Sequence, residues 1–541
     1  MRHLLASVPL TLLLGSAAVP PAEATLPCEG LVQLSLAKAK VTSAQTVAAG
    51  TFTVPANLAP WMAGDPAAYK ALPAFCRVSA QAAPSADSDI KIEVWMPVSG
   101  WNGRFRAHGN GGFAGEIDYR LLGDAAGRGY ATAATDTGHS ASGIDARWAL
   151  GHPEKVIDFG YRAIHEMTQV AKGVIEAFYG KSPAHSYFAS CSNGGRQALM
   201  EAQRFPQDYD GILAGAPANF WTHLLTSAVW DARATTLEGA SYIPATKLPA
   251  IARSVNDACD AKDGVADGIL NDPRGCRFDP AAMLCKDGDA ATCLTAPQVT
   301  ALKRLYEGAR DSSGRRIFPG FLPGAEEGEG GWGPWITGSA PGKGLLFTFG
   351  TGFFSDMVYD KADWDYKTAN LDQAVKAADD KTARMLNATD PDLKPFKDRG
   401  GRLILYHGWN DPAISALNTI DYYESVMKTM PPGEVERFLR LYMAPGVQHC
   451  GDGPGPSSFG QAGETRPSDP RHSLQLALEQ WVERGTAPST IIATRYAQTS
   501  PSAAATTEVR MTRPLCAYPQ TAAYRGRGDT SDAASFTCVT K

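Results

Sequence analysis

The residues around Ser192 constrain the fold of this chain more than any other segment. Residues 186–189 are mostly apolar and short enough for a buried strand, and residues 198–202 have apolar positions at helical spacing. Between them, residues 190–195 read SCSNGG. A strand, a tight turn and a helix form a nucleophile elbow, which exposes a serine hydroxyl and directs the next backbone N–H groups at a developing oxyanion. Ser192 is therefore the candidate nucleophile, although taken alone the turn better fits an ordinary Ser/Gly loop.

Strand and helix patterns alternate on both sides of this turn. Strand patterns occupy residues 90–96, 104–107, 130–135, 212–216, 402–406 and 437–442. Helix patterns occupy residues 156–178 and 474–482. This alternation predicts a mainly parallel α/β sheet, but it stops between about residue 219 and residue 395. We therefore expect a catalytic domain of residues 25–218 and 396–541, with residues 219–395 inserted as a second domain.

An acid and a histidine follow the serine at later strand ends, in the order typical of this kind of fold. Asp411 comes just after the strand pattern at 402–406, and His449 comes just after the one at 437–442. We expect Asp411 to hold the His449 imidazole in one tautomer and His449 to take the Ser192 proton. Alone, Asp411 fits a turn before proline and His449 a loop, but the order of all three favours a triad. The rival His407 precedes the acid and breaks that order.

A glycine-rich segment, HGNGG at residues 108–112, follows the strand pattern at 104–107. Glycines there let backbone N–H groups approach a substrate oxygen closely. We predict that the N–H groups of Gly112 and Asn193 form an oxyanion hole, with Gly111 as an alternative donor and substrate contact. An ordinary glycine turn is the other interpretation.

The N-terminal residues 1–24 have the features of a secretory signal peptide. A short basic start, MRH, precedes an almost wholly apolar stretch at residues 4–19, and Ala22-Glu23-Ala24 is an A-x-A cleavage site. We expect cleavage after Ala24 and a secreted or periplasmic product. No later apolar run reaches the ~18 residues that a membrane span needs, so we expect no membrane partner.

Ten cysteines in an exported chain indicate disulfides. Cys191 precedes the candidate nucleophile and Cys450 follows the candidate base, so contact between Ser192 and His449 would bring these two cysteines together. The formal net charge of −5, without a basic stripe, argues against a nucleic-acid partner. We expect a monomer or a weak homo-oligomer that acts on a small molecule.

This constellation resembles the tannase and feruloyl esterase family. The shared motifs are Cys-Ser-x-Gly-Gly at residues 191–195, His-Gly-x-x-Asp at 407–411 and His-Cys at 449–450, with further similarity at residues 109–115, 513–519 and 536–538. One departure is Ser190, where the family usually has glycine. The resemblance implies an α/β-hydrolase fold with a large inserted lid domain. It also implies five disulfides: Cys28–Cys76, Cys191–Cys450, Cys259–Cys276, Cys285–Cys293 and Cys516–Cys538.

The inserted segment holds a short acidic loop, DAKDGVADGI, at residues 260–269. The carboxylates of Asp260, Asp263 and Asp267 and the carbonyls of Val265 and Ile269 are oxygen ligands of the kind that a hard cation prefers. From spacing alone, a solvated Asp-Gly turn is the better interpretation. The resemblance instead implies a structural Ca²⁺ at these five positions in the lid.

The resemblance also implies the chemistry. Family members cleave esters of aromatic acids, such as gallate and hydroxycinnamates including ferulate, and one branch cleaves mono(2-hydroxyethyl) terephthalate. We therefore expect a secreted serine esterase that acts on feruloyl, hydroxycinnamoyl or galloyl esters through an acyl-enzyme. Ile414 and the lid residue Trp335 are expected to contact the substrate. Further candidates for the aromatic pocket, each equally suited to the core of the lid, are Trp332, Phe349, Phe353 and Phe354.

Three other functions stay open. The first is hydrolysis of the terephthalate monoester, but the lid has no arginine between residues 316 and 384, and lysine is a poor substitute for a bidentate arginine. The second is a peptidase on the same scaffold, which nothing in the sequence favours. The third is a non-catalytic, calcium-stabilised binding protein on the esterase fold, which would be expected to lack a triad residue, whereas all three are present.

Overall fold

The structure, a computed structural model, describes residues 25–55, 64–464, 466–497 and 507–540. The predicted signal peptide, residues 1–24, lies outside the described residues. Among the helices of the described ranges, none has both the length and the apolar character needed to cross a membrane.

Ten of the described strands form one sheet. In chain order they are β1 (Ser35–Leu36), β2 (Ala39–Val47), β3 (Phe75–Ala82), β4 (Ile90–Pro97), β5 (Arg104–Ala107), β6 (Ala131–Thr135), β7 (His185–Cys191), β8 (Gly211–Gly215), β9 (Arg402–Gly408) and β10 (Leu439–Ala444). Their order across the sheet is β1-β2-β3-β4-β6-β5-β7-β8-β9-β10. The pairs from β1 to β4 and the pair β4–β6 are antiparallel, and every later pair is parallel. The prediction of an α/β sheet is confirmed.

The helices connect these strands and cover the sheet. In the described part of the chain they are α1 (Pro66–Lys70), α2 (Tyr119–Gly127), α3 (Pro153–Ile157), α4 (Ala163–Tyr179), α5 (Asn193–Arg204), α6 (Trp221–Thr236), α7 (Leu248–Cys259), α8 (Ala296–Glu307), α9 (Leu345–Gly352), α10 (Leu371–Leu386), α11 (Lys394–Asp398), α12 (Ala416–Thr429), α13 (Pro432–Val435) and α14 (Leu474–Arg484). Near the C-terminus, β11 (Thr490–Tyr496) pairs with β12 (Val509–Cys516), and β13 (Gln520–Tyr524) pairs with β14 (Phe536–Thr540).

The single long helix predicted over residues 156–178 is not continuous. It is divided into α3 and α4 by a π-helical turn at Asp158–Arg162. The carbonyls of Phe159 and Gly160 in this turn accept hydrogen bonds from Arg196, a side chain of another helix. Arg196 of α5 therefore contacts the π-helical turn, and the spacing of apolar residues in the sequence does not show this contact.

Apolar side chains cover both faces of the parallel half of the sheet. Every position of β8 is buried, as expected for a strand packed on both faces. One face packs against α4, α5 and α12, and the other packs against α14. The loops at the carboxyl ends of the strands are thereby held on a rigid layer.

The segment between β8 and β9 adds no described strand to this sheet, and β8 pairs directly with β9. It contributes α6 to α11 and has an apolar cluster of its own around Ile251, Leu302 and Trp332. A second cluster joins it to the core, with Phe113 and Ile414 from loops that follow β5 and β9. The inserted segment therefore packs on those loops, while its boundaries as a domain, residues 219–395, stay a prediction.

Candidate active site

Ser192 lies in a sharp bend between β7 and α5. Its backbone has φ 65° and ψ −125°, a strained conformation for a residue with a Cβ. A Cβ on Gly194 would lie 1.9 Å from Ser190 Oγ, and a Cβ on Gly195 would lie 2.3 Å from Gly215 O. The small residues of the predicted elbow are therefore sterically required.

His449 and Asp411 continue from Ser192 as a chain of hydrogen bonds. His449 Nε2 lies 2.9 Å from Ser192 Oγ, and His449 Nδ1 lies 2.8 Å from Asp411 Oδ2. Asp411 is buried, and its Oδ1 accepts from the backbone N–H groups of Ala413 and Ile414 at 2.8 and 2.9 Å. The structure thus brings the three predicted triad residues together in one connected arrangement.

The rival histidine, His407, contacts the acid. Its Nε2 lies 3.0 Å from Asp411 Oδ2, and its Nδ1 lies 2.7 Å from Thr419 Oγ1. Burial alone would raise the pKa of Asp411, but the neighbouring His449 and His407 outweigh it and hold that pKa well below its usual range. The geometry therefore agrees with the chain-order argument, since His449 is the histidine bonded to Ser192.

A disulfide, Cys191–Cys450, joins the elbow to the loop of His449, and its Cα atoms are 5.9 Å apart. Each cysteine is the chain neighbour of one of the hydrogen-bonded residues Ser192 and His449. The other four disulfides are Cys28–Cys76, Cys259–Cys276, Cys285–Cys293 and Cys516–Cys538. All five pairings implied by the resemblance are confirmed.

The two predicted oxyanion donors occupy positions that suit the role. Gly112 follows β5 with φ 54°, and a Cβ on it would lie 2.1 Å from Gly143 O, so the position requires glycine. Asn193 is the first residue of α5, where the helix offers its N–H no acceptor. A Cβ on Gly111 would meet nothing within 4 Å. The backbone therefore requires glycine at position 112 and not at position 111. The oxyanion role of Gly112 and Asn193, with Gly111 as the alternative donor, stays a prediction.

Sequence reasoning missed Gln197, which joins the glycine-rich segment to α5. Its Nε2 donates to Asn110 Oδ1 at 2.7 Å, and its Oε1 accepts from Asn110 N at 3.1 Å. Asn110 Nδ2 donates in turn to Thr135 O at 2.9 Å. In the sequence alone, a polar residue about one turn after a candidate nucleophile does not indicate a function. Its role can be seen only once β5, which precedes Asn110, is known to pair with β7, which precedes α5.

Two of the predicted aromatic residues flank this arrangement. The Trp335 ring meets the His449 ring edge-on, with centroids 4.9 Å apart, and the Phe349 ring is stacked 6.4 Å from that of Trp335. The Phe349 ring lies close to Gly112, since a Cβ on Gly112 would be 3.2 Å from it. Ile414 is buried, and its backbone N–H donates to Asp411. The other three candidates are fully buried in the apolar clusters of the insert: Trp332, Phe353 and Phe354.

Residues 76–539 match the family profile described as tannase and feruloyl esterase. The chain belongs to the tannase and feruloyl esterase family. It is 42% identical over 543 residues to an uncharacterized esterase of Xanthomonas campestris pv. campestris, covering 96% of this chain and 92% of the relative. It is 33% identical over 474 residues to a probable feruloyl esterase B of Aspergillus clavatus, covering 86% of each.

The solved structures agree with this family. The crystal structure of feruloyl esterase B from Aspergillus oryzae matches with a TM-score of 0.84 and 30% identity, covering 95% of this chain and 99% of that one. A tannin acyl hydrolase from Aspergillus niger, at 23% identity and a TM-score of 0.72, shares the fold. This member of the tannase and feruloyl esterase family is a carboxylic ester hydrolase with the α/β-hydrolase fold.

The acidic loop of this esterase folds on its own backbone, because all three carboxylates accept N–H groups of residues 265–271. Asp267 Oδ2 also accepts from Arg513 at 2.6 Å, whereas Asp260 Oδ1 is buried with no partner among the described residues. Burial and the nearby charges of Asp267 and Asp260 raise the pKa of Asp263, against the backbone hydrogen bonds that lower it. Within the described ranges, no three His, Cys, Asp or Glu side chains converge as a metal-binding group. The all-oxygen donor set and the unpartnered Asp260 Oδ1 fit Ca²⁺ chemically. Calcium binding at this loop stays a proposal.

Proposed function

We propose that this esterase hydrolyses esters of hydroxycinnamic acids, feruloyl esters above all, through a Ser192–His449–Asp411 triad and an acyl-enzyme. The observation that carries the proposal is the unbroken chain of hydrogen bonds from Asp411 through His449 to Ser192. It ends beside the aromatic rings of Trp335 and Phe349. The relatives named feruloyl esterase B support the choice of acyl group.

In the acylation step, Ser192 Oγ attacks the ester carbonyl carbon while its proton passes to His449 Nε2. Asp411 accepts the Nδ1–H bond, which directs the Nε2 lone pair at Ser192 and stabilises the imidazolium that forms. The carbonyl oxygen becomes an oxyanion and accepts from the N–H groups of Gly112 and Asn193. The tetrahedral intermediate then collapses, and His449 gives its proton to the departing alcohol.

In the deacylation step, water replaces the alcohol. His449 takes one proton of the water as its oxygen attacks the acyl carbon, and the same oxyanion donors hold the second tetrahedral intermediate. Collapse releases the carboxylic acid and returns the proton to Ser192 Oγ. All the groups that react or donate to the oxyanion belong to the core. The insert contributes Trp335 and Phe349, which would lie beside the acyl group.

The side chains proposed to contact the acyl group favour a hydroxycinnamoyl ring. Trp335, Phe349 and Ile414 offer no acceptor for the three phenolic hydroxyls of a galloyl ring and no cation for a free carboxylate. Galloyl esters and mono(2-hydroxyethyl) terephthalate are therefore the second and third substrates within the family.

Rates on methyl ferulate, methyl gallate and the terephthalate monoester test this choice, together with labelling by a serine-directed fluorophosphonate. We expect kcat/KM for methyl ferulate to exceed both others by about 10-fold or more, as one well-matched pocket allows. The highest kcat/KM on methyl gallate would show that galloyl is the preferred acyl group, without contradicting the proposed triad. No hydrolysis and no labelling would instead favour the non-catalytic binding protein.

We propose that the protein is exported and acts alone on small esters. Its disulfides are typical of an oxidising compartment, whether extracellular or periplasmic, and residues 1–24 have the pattern of a signal peptide. The net charge of −5 argues against a nucleic-acid partner, and we propose a monomer or weak homo-oligomer without a membrane partner.

Removing the Cys191–Cys450 disulfide is expected to lower kcat by about 10-fold or more, because a small displacement between nucleophile and base is costly. The loop it closes spans 259 residues, so the double alanine variant is also expected to lose up to about 5 kcal/mol of stability. The matched control is the Cys285–Cys293 pair, whose loop spans 8 residues of the insert. Its double alanine variant should keep kcat within about 2-fold. Equal kcat in both double variants at a temperature where both are folded would remove the positional role.

We propose that Ca²⁺ binds the acidic loop through Asp260, Asp263 and Asp267 and two backbone carbonyls, those of Val265 and Ile269. Bound there, the two positive charges of the ion, together with that of Arg513 on Asp267, would balance the three carboxylates and stabilise the fold. Chelation is expected to lower Tm by about 2 to 3 °C, since a ligand present at 100 times its Kd contributes about 2.7 kcal/mol and the unfolding entropy of a chain of this length is large.

Calorimetric titration and thermal unfolding check the calcium proposal. Added Ca²⁺ should restore Tm in the native protein but not in Asp260→Asn, whereas Asp287→Asn, at an exposed site of the same insert, should respond normally. The rate at 25 °C should change by less than about 2-fold on chelation, because the loop is separate from the triad strands. An unchanged Tm on chelation would contradict the proposal, and a large rate loss with the fold intact would place the ion in the chemistry.

A further inference from the structure

Arg196 is a buried cation one helical turn after Ser192. It is fully buried, and within the described residues it forms no ion pair. Burial lowers the pKa of its guanidinium to about 9. Its place in the first turn of α5 adds to the cost, because the helix dipole disfavours a cation there. Charges in protein interiors are normally paired, so this one calls for a counter-charge that the resting protein does not supply.

Every contact of Arg196 brings a neutral group to the guanidinium. Nε and Nη2 both donate to Asn193 Oδ1, at 2.9 and 2.7 Å. Nη1 donates to Gly160 O at 2.8 Å and Nη2 to Phe159 O at 3.1 Å, the two carbonyls of the π-helical turn. Nη1 also donates to Leu386 O at 3.4 Å. The guanidinium carbon also lies 4.8 Å from the Phe159 ring centroid and 5.1 Å from that of Trp221. These contacts hold the guanidinium in place without neutralising it.

The guanidinium also fixes the orientation of the Asn193 amide. Arginine can only donate hydrogen bonds, so the amide must turn its Oδ1 toward Arg196. Asn193 Nδ2 is then buried without a hydrogen-bond partner among the described residues. The backbone N–H of this same asparagine is one of the two proposed oxyanion donors. The position of that donor therefore depends on Arg196.

We propose that Arg196 is a positioning residue for the transition state: it braces Asn193, and its positive charge is balanced by the negative charge that develops on the substrate oxygen. This inference rests on the proposed triad mechanism. A neutral ester gives the cation no partner in the ground state. Its attraction is therefore felt mainly in the anionic transition state, where it raises kcat and leaves KM nearly unchanged.

The test compares Arg196→Met and Arg196→Lys on p-nitrophenyl acetate, so that it does not depend on which aromatic acid is preferred. For Arg196→Met we expect kcat to fall about 30- to 100-fold with KM within about 3-fold. Arg196→Lys keeps the charge without the planar fork, so it should recover part of the loss. The matched control is Arg204→Met, an exposed arginine of the same helix that lies 4.4 Å from the Tyr161 ring and donates to Arg384 O.

Two inhibitors separate this role from a merely structural one. With a phenylboronic acid, Ser192 Oγ adds to boron while its proton passes to His449, and the negative charge stays on boron. Benzamide has the same phenyl ring, and this amide binds as a neutral ligand. Arg196→Met should lose affinity for the boronic acid by the same factor as kcat/KM and keep its affinity for the amide. If the methionine variant does not fold, Arg196→Lys should show the same pattern to a smaller extent.

Equal losses for both inhibitors, or a kcat for Arg196→Met within about 3-fold of the native value, would overturn the inference. Ser192→Ala distinguishes that failure from failure of the proposed function. An inactive Ser192→Ala beside a fully active Arg196→Met removes only the role of Arg196. An active Ser192→Ala removes the triad and, with it, the inference.

Discussion

Ser192→Ala is expected to lower kcat for methyl ferulate by about 10⁴- to 10⁶-fold, because it removes the only atom that can form the acyl-enzyme. His449 would remain bonded to Asp411 but would have no hydroxyl to deprotonate. The residual rate would come from the oxyanion donors and from binding alone, so KM should change little. Steady-state kinetics and loss of fluorophosphonate labelling measure the effect.

The control for this variant lies in the same turn. Ser190→Ala removes a hydroxyl two residues before Ser192, at the position where the family usually has glycine. Gly194 has no Cβ to meet the Ser190 side chain, so a smaller residue at 190 leaves the bend as it is. The protein should fold, and its rate should stay within about 5-fold of native. Should Ser192→Ala retain a tenth of the native rate while folded, Ser192 is not the nucleophile.

The triad was open to prediction from sequence because its parts follow buried strands. Central strands such as β9 are continuous apolar runs, and the 402–406 pattern falls within Arg402–Gly408. Once such runs are recognised, the residues that follow them share one edge of the sheet, so Asp411 and His449 could be placed near Ser192. The Cys191–Cys450 pairing then followed from chain adjacency alone.

Other features depend on contacts that no local pattern carries. β2 is mostly exposed on both faces, so it lacks the apolar alternation that marks a strand. The π-helical turn before α4 meets a side chain of α5, and the requirement for Gly112 comes from the carbonyl of Gly143 in another loop. Likewise, which lid aromatics face His449 depends on how the insert packs, and periodicity does not separate Trp335 from the buried Trp332.

Asp411→Asn is expected to lower kcat by about 10³- to 10⁴-fold with little change in the backbone. The native carboxylate accepts four N–H groups: two imidazole groups on Oδ2 and two backbone groups, those of Ala413 and Ile414, on Oδ1. An asparagine amide has only one acceptor oxygen, so its NH₂ group must face donors in either orientation. If the NH₂ group faces His449, the ring must turn its lone pair to it and present Nε2–H to Ser192, which leaves no base.

The matched control is Asp210→Asn, the same substitution in the loop before β8. Asp210 accepts from Ser186 N at 2.8 Å and pairs with Arg399 at 2.5 Å, so this variant should lose stability but keep kcat within about 2-fold. A comparable kcat loss in both variants would show that Asp411 acts only through stability.

Asp411→Asn is also expected to change how the stability of the protein depends on acid pH. The folded-state pKa of Asp411 lies below that of the unfolded carboxyl, about 3.9, so folding favours the ionised form. Its contribution to the free energy of unfolding is therefore complete above about pH 5 and is lost as the pH falls further. Native protein should lose stability more steeply than Asp411→Asn over that acid range, as urea unfolding at a series of pH values measures. If the free energy of unfolding falls equally with pH in both proteins, His449 and His407 do not hold the Asp411 carboxylate in its ionised form. Asp411 would then not stabilise the His449 imidazolium by its charge.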